Sequence, residues 1–96
     1  MSAHALGQVV VTHKIGLHAR PAVKFIRLAK SFEATVRVRA GDEGDWADGK
    51  SIVKILSLKV REGADLRLQA EGDDAEAAIQ ALIDLVRRDF DEPVHG

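Results

Sequence analysis

The strand-like stretches of this chain are apolar on one side only. Thr35-Val36-Arg37-Val38-Arg39 alternates strictly with Val36 and Val38 inward, and Ala64 to Glu71 sets Leu66, Leu68 and Ala70 against Arg67, Gln69 and Glu71. A sheet of such strands has one face for a core and one for water. The helical stretches are equally one-sided. Between Ala19 and Phe32 the apolar residues Ala22, Phe25, Ile26 and Ala29 recur at i, i+3, i+4 and i+7, with Arg20, Lys24, Arg27 and Ser31 on another face. Near the C-terminus Ile79, Leu82, Ile83 and Val86 form a second stripe. Amphipathic helices laid on one face of an antiparallel sheet give a two-layer α+β sandwich. The apolar runs are too short and mixed for a doubly wound parallel sheet.

The remaining boundaries follow from local signals. Gln8 to Thr12 is β-branched and reads as a strand, ended by His13 and interrupted at Gly16. Pro21 fits the first turn of a helix, so that helix starts one to three residues earlier and His18 lies at or beside its N-terminus. Ala40 to Gly49 is a loop or a hairpin with a short strand around Trp46. Ser51 is a good N-cap for a brief helix with Ile52, Ile55 and Leu56 as its buried positions. Lys59-Val60 reads as strand, separate from or joined to Ala64 to Glu71. Asp73 caps the last helix with Glu76 as capping-box partner, Arg87 and Arg88 sit in its last turn, and a tail begins at about residue 90. The order β-α-β-(β)-α-β-α describes a single domain over residues 1–96.

Size and composition exclude whole classes of function. Ninety-six residues leave little room for a deep enclosed cavity, and no large cofactor is expected. With no cysteine, disulfides, thiolate metal sites and thiol nucleophiles are absent together. No apolar run is long enough for a membrane span, and Met1 to Leu6 lacks the features of a signal peptide. A cytoplasmic protein is the expectation. One Trp, three Phe and no Tyr make a base-stacking platform improbable, so nucleic acid is not an expected partner. The net charge of −1 conceals an asymmetry: residues 1–40 hold seven basic side chains and one acid, residues 41–96 seven basic and fourteen acidic. A basic N-terminal segment suits a negative partner unless folding interleaves the two halves.

Of the four histidines, His4 and His95 fall in expected tails and His13 at a strand end, where surface positions need no function. His18 is different. A helix start offers unpaired amide hydrogens and partial positive charge. There an imidazole can act as nucleophile toward phosphorus, with the first-turn amides as cradle and the Arg20 guanidinium as charge-assisted partner. A histidine near an arginine at a helix start is also what an incidental surface residue looks like, and the residues alone leave both readings open. Gly44-Asp45-Trp46-Ala47-Asp48-Gly49-Lys50-Ser51 has the letters of a nucleotide-binding P-loop, yet Asp45 and Asp48 would put carboxylates beside the phosphates and the helix after it is short. Asp42, Glu43, Asp45 and Asp48 lack calcium-loop spacing and no histidine pair stands at i, i+4, so no metal is expected.

At Gly16-Leu17-His18-Ala19-Arg20-Pro21-Ala22 the chain closely resembles the histidine-containing phosphocarrier proteins, HPr, of the bacterial phosphoenolpyruvate-dependent sugar phosphotransferase system. The likeness continues through Lys50-Ser51-Ile52, through Leu58 to Leu66 and through Glu71-Gly72-Asp73-Asp74-Ala75-Glu76. It implies an open-faced β-sandwich, a four-stranded antiparallel sheet covered on one face by three helices. It further implies that His18 takes a phosphoryl group on Nδ1 from phosphorylated enzyme I and passes it to IIA units of sugar permeases. Ala19 and Arg20 would hold the group and Arg20 would neutralise it. Lys24 and Arg27 would steer acidic partners, and Ile52, Val53 and Leu56 would form an exposed docking patch, although Leu56 equally suits the core. Ser51 matches a regulatory serine modified by HPr kinase/phosphorylase in many bacteria. The implied molecule is a monomeric carrier, not an enzyme. A carrier in a nitrogen or metabolic phosphorelay, and a binding module acting through phosphorylated Ser51, are the alternatives. Ile15 stands where many relatives have a small polar residue, the Gly41 to Trp46 loop is long and acidic, and Lys54 follows the pattern of some Gram-negative carriers.

Overall fold

The computed structural model describes residues 3–42 and 44–90. The elements are β1 (His4–Val10), α1 (Ala19–Lys30), β2 (Thr35–Ala40), β3 (Ala47–Asp48), α2 (Ile52–Ser57), β4 (Asp65–Glu71) and α3 (Ala75–Arg87). The strands form one antiparallel sheet in the order β1-β4-β2-β3. The last strand in the chain thus occupies an interior position, pairing Val9 with Leu66 on one side and Val38 with Leu68 on the other. The α+β class is as the residues implied, and the four-stranded sheet with three helices as the resemblance implied.

One face of the sheet carries the core. Val9, Val36, Val38, Leu66, Leu68 and Ala70 are buried under Phe25 and Ile26 of α1, Ile55 of α2, and Ile79, Leu82 and Val86 of α3. Among the described residues every buried side chain is apolar. The opposite face is wet: Arg37 is exposed, Arg67 is paired with Asp42 at 2.6 Å and Asp65 at 3.3 Å, and Arg39 stacks 4.6 Å from the Trp46 ring centroid. No helix among the described residues is long and apolar enough to cross a membrane.

Several boundaries differ from the sequence expectation, each for a tertiary reason. β1 starts at His4, not Gln8, because pairing with β4 draws in Ala5, Leu6 and Gly7; His4 is strand rather than tail, with Nε2 3.4 Å from Glu71. Gly7 belongs there because a Cβ would come within 2.6 Å of Ile79. The strand ends at Val10, leaving Thr12 and His13 beyond it. Lys59-Val60 is not strand, since Lys59 turns the chain at φ 53°. In α2 only Ile55 is buried, and Ile52 and Leu56 are exposed. Arg88 is the C-cap of α3 rather than part of its last turn. Phe90, where a tail was expected to begin, is buried; residues 91–96, with Pro93 and His95, lie outside the described residues.

The start of α3 shows how two distant segments are joined. Its N-cap is Asp74, not Asp73, and the Asp74 carboxylate caps nothing in its own helix. It accepts the N–H groups of Glu33 at 2.9 Å and Ala34 at 2.8 Å instead, tying α3 to the approach to β2. The Glu33 N–H above all, with those of Ala34 and Asp74 itself and the Lys50 charge, holds the Asp74 carboxyl below its ordinary value against the opposing desolvation, which outweighs each of the lesser contributions. A lowered carboxyl stabilises the fold fully above its unfolded value, 3.8, and the contribution is lost as pH falls through the lower folded value. Asp74→Asn is therefore expected to lower the melting temperature at neutral pH, with the deficit shrinking in strong acid. Thermal melts of both proteins across that range check it; a pH-independent deficit would contradict it.

Candidate functional site

His18 is held from behind by backbone contacts. Gly16 has φ 75°, and a Cβ there would lie 2.2 Å from the Val60 carbonyl oxygen and 2.8 Å from Arg61 Cα. Only glycine supplies both the conformation and the close approach. The next residue, Leu17, is fully buried and its N–H donates to the same Val60 carbonyl at 3.0 Å. His18 follows in extended conformation, φ −132° and ψ 164°, as the N-cap of α1. Its half-buried side chain makes no capping hydrogen bond, so the ring is not consumed by its own helix.

What lies ahead of His18 is electropositive. Ala19 takes φ 52°, a left-handed conformation costly for a residue with a Cβ, and it sits where the chain turns into the helix. Backbone strain of this kind concentrates at functional sites. The first turn of α1 contains no acidic side chain, so the positive end of the helix dipole is unneutralised. Arg20 is exposed on that turn and, with His13, Pro21, Lys24, Arg88, Asp89 and Phe90, lines an open cleft of about 420 Å³. His18, half-buried, is not in this lining. Lys24 is half-buried and its Nζ donates to the Phe90 carbonyl at 2.7 Å, while Arg27 is exposed in the last turn of α1. Arg37 and Arg39 lie on the open sheet face. The basic surplus of the N-terminal segment is therefore split, and its helical share stays on α1.

The second helix adds an apolar surface. α1 packs against α2, and α2 exposes Ile52 (40 %), Val53 (71 %) and Leu56 (37 %). Ile15 and Val23 are also exposed, at 52 % and 46 %, and sequence reasoning gave neither a docking role. Their signal was an apolar side chain outside the buried stripe of the helix or next to the glycine turn. Ser51 is the N-cap of α2, and its Oγ accepts the Lys54 N–H at 3.3 Å.

The P-loop pattern dissolves in the fold. Ala47 and Asp48, inside it, are the edge strand β3, and Lys50 Nζ donates to the Phe32 carbonyl at 2.7 Å rather than toward a phosphate. Among the described residues no group of three His, Cys, Asp or Glu is arranged to hold a metal.

A histidine N-cap with an unused side chain at an acid-free helix start, with an arginine two residues on and exposed apolar side chains on an open α+β sandwich, is an arrangement that suits a carrier of anionic groups. Comparison with known proteins gives the family. Residues 7–88 match the family described as PTS HPr component phosphorylation site, and the chain belongs to it. It is similar to the phosphocarrier protein HPr of Haloferax volcanii, 45 % identical over 78 residues that span 81 % of this chain and 88 % of that protein. The phosphocarrier protein NPr of Escherichia coli K12 is 39 % identical over 84 residues, 88 % of this chain and 92 % of NPr. The crystal structure of HPr-C-His from Thermoanaerobacter tengcongensis superimposes with a TM-score of 0.86 at 39 % identity, covering 94 % of this chain and 99 % of the other. The chain is thus an HPr-type phosphocarrier rather than an enzyme.

The Gly16 contact is the most stringent in the site. Gly16→Ala forces a Cβ into the Val60 carbonyl at φ 75° and is expected to cost roughly 2–4 kcal/mol, read by denaturant unfolding. A variant as stable as the parent would show that the loop moves aside.

Proposed function

We propose that the chain relays phosphoryl groups through His18, between phosphorylated enzyme I and a IIA acceptor, as a cytoplasmic monomer. The observation that carries this reading is the position of His18 as N-cap of α1 with an unused side chain, an acid-free first turn and Arg20 two residues on. The Nδ1 lone pair attacks phosphorus of the donor phosphohistidine. A P–N bond forms on His18 as the donor's P–N bond breaks, and the donor imidazole leaves with its electron pair. Donation to the acceptor histidine is the same exchange in reverse. Arg20 and the first amides of α1, beginning at Ala19, balance charge on the phosphoryl oxygens in both directions. Such transfer needs positioning and charge compensation rather than an enclosed pocket.

Docking falls to the surface around it. Ile52, Val53 and Leu56 give desolvated contact, and Arg20, Lys24 and Arg27 steer acidic partners at rates that drop with salt. Ser51 is the regulatory position. A phosphate on its Oγ, placed by HPr kinase/phosphorylase, suits the acid-free start of α2 while adding negative charge beside the docking patch.

Incubation with phosphoenolpyruvate and enzyme I is expected to give an acid-labile, base-stable phosphate on the parent and on Ser51→Ala, and none on His18→Ala. Phosphate persisting on His18→Ala would refute the reading. The sugar branch is the first assignment of the acceptor. The likeness to NPr favours a second reading, a nitrogen-type relay without sugar transport. Transfer from the phosphorylated chain to IIA proteins of each branch separates them, the faster acceptor identifying the branch.

A further inference from the structure

His13 stands outside the Gly16 to Ala22 motif, and a strand-end surface position would leave it idle. The structure gives it three contacts. Its carbonyl accepts the Gly16 N–H at 2.9 Å, and its Nδ1 accepts the Ile15 N–H at 3.1 Å. Its ring meets Phe90 edge-on, centroids 5.8 Å apart and planes at 78°. A neutral imidazole that accepts at Nδ1 carries its proton on Nε2. The ring therefore does what an Asn or Asp side-chain oxygen does in an Asx turn, accepting from the N–H two residues on.

The wall behind the ring is itself fixed. Phe90 is buried at 2 % exposure, its N–H bonds to the Leu85 carbonyl at 2.9 Å, and its carbonyl takes Lys24 Nζ at 2.7 Å. Next to it, the Asp89 carboxylate accepts Thr12 Oγ1 at 3.3 Å. His13 thus leans on a turn tied to α3, to α1 and to its own neighbour Thr12. Ile15 cannot anchor the segment through its side chain, which is half exposed. The two bonds from Ile15 and Gly16 to His13 are what set the path of the chain into Gly16, and Gly16 admits no slack against Val60.

We propose that His13 is a positioning residue for His18: its Nδ1 locks the turn that delivers the phosphoryl-carrying ring to the start of α1. The proposal rests on the phosphoryl relay through His18. Two substitutions separate the acceptor from the ring. His13→Asn keeps an acceptor for the Ile15 N–H and loses the contact with Phe90, whereas His13→Phe keeps an aromatic ring and has no acceptor.

The test uses the full chain, with Ile15 amide exchange, the His18 imidazole resonances, and phosphoryl uptake from phosphoenolpyruvate and enzyme I. His13→Phe is expected to speed Ile15 exchange about three- to tenfold, to shift the His18 resonances, and to lower the maximal uptake rate about tenfold with KM unchanged. His13→Asn is expected to restore all three. The proposal is overturned if His13→Phe leaves exchange and His18 resonances as in the parent, or if His13→Asn is as impaired as His13→Phe. If the parent takes up no phosphate, the relay reading fails, and exchange together with the His18 resonances still decides the role of His13.

Discussion

The contact of Gly16 with the backbone of Val60 and Arg61 is the constraint on which this end of the molecule depends. It places the chain between β1 and α1 directly against the connection between α2 and β4, with no side chain to cushion the approach. Leu17 then enters the core and His18, half-buried, follows as the N-cap of α1. His18 is thereby fixed by backbone packing, and its side chain makes no capping hydrogen bond. A histidine held by its own ring would be equally rigid and chemically spent.

Charge is arranged on the same logic. Neither α1 nor α2 has an acid in its first turn, and the two acid-free helix starts are those of His18 and Ser51. α3, which carries neither, has Glu76 in its first turn. The acidic loop that offsets the basic segment folds toward the opposite face, where Asp42 pairs with Arg67 and Trp46 covers Arg39. A near-zero total is thus compatible with a positive working surface.

The residues disclose most of this fold because its main elements are one-sided. β2, β4, α1 and α3 each carry a clean apolar period, and the structure keeps them within a residue or two. β1 is hidden in part, since Ala5, Leu6 and Gly7 have little strand preference and are drafted by pairing with β4. α2 shows the other limit: a short apolar run does not say which residues face inward, and a helix of six residues has one inward position, Ile55. Sequence offers Asp73 as the cap of α3, whereas the N-cap is Asp74 and its carboxylate serves Glu33, 41 residues away. The Gly16 to Ala22 motif is readable in advance through its resemblance to the HPr family, since a histidine near an arginine at a helix start does not by itself exclude an incidental surface residue. The buttress behind it is not, because it depends on the chain reversing after α3 at two non-glycine residues, Asp89 and Phe90, with φ 59° and 61°.

That buttress bears on why a carrier can work without a pocket. In the proposed relay two partners reach the same imidazole in turn, so neither is offered a cavity shaped to it, and in-line geometry comes from the carrier's backbone on one side and from each partner on the other. An enclosing enzyme spreads positioning over many side chains around the reacting atoms. On the proposed reading it is concentrated behind the histidine, in Gly16, Leu17 and the Nδ1 acceptor of His13, leaving the front to weak apolar contact and long-range steering. Such a front favours fast encounter and fast release over tight binding, which suits a protein that must leave each partner to serve the next.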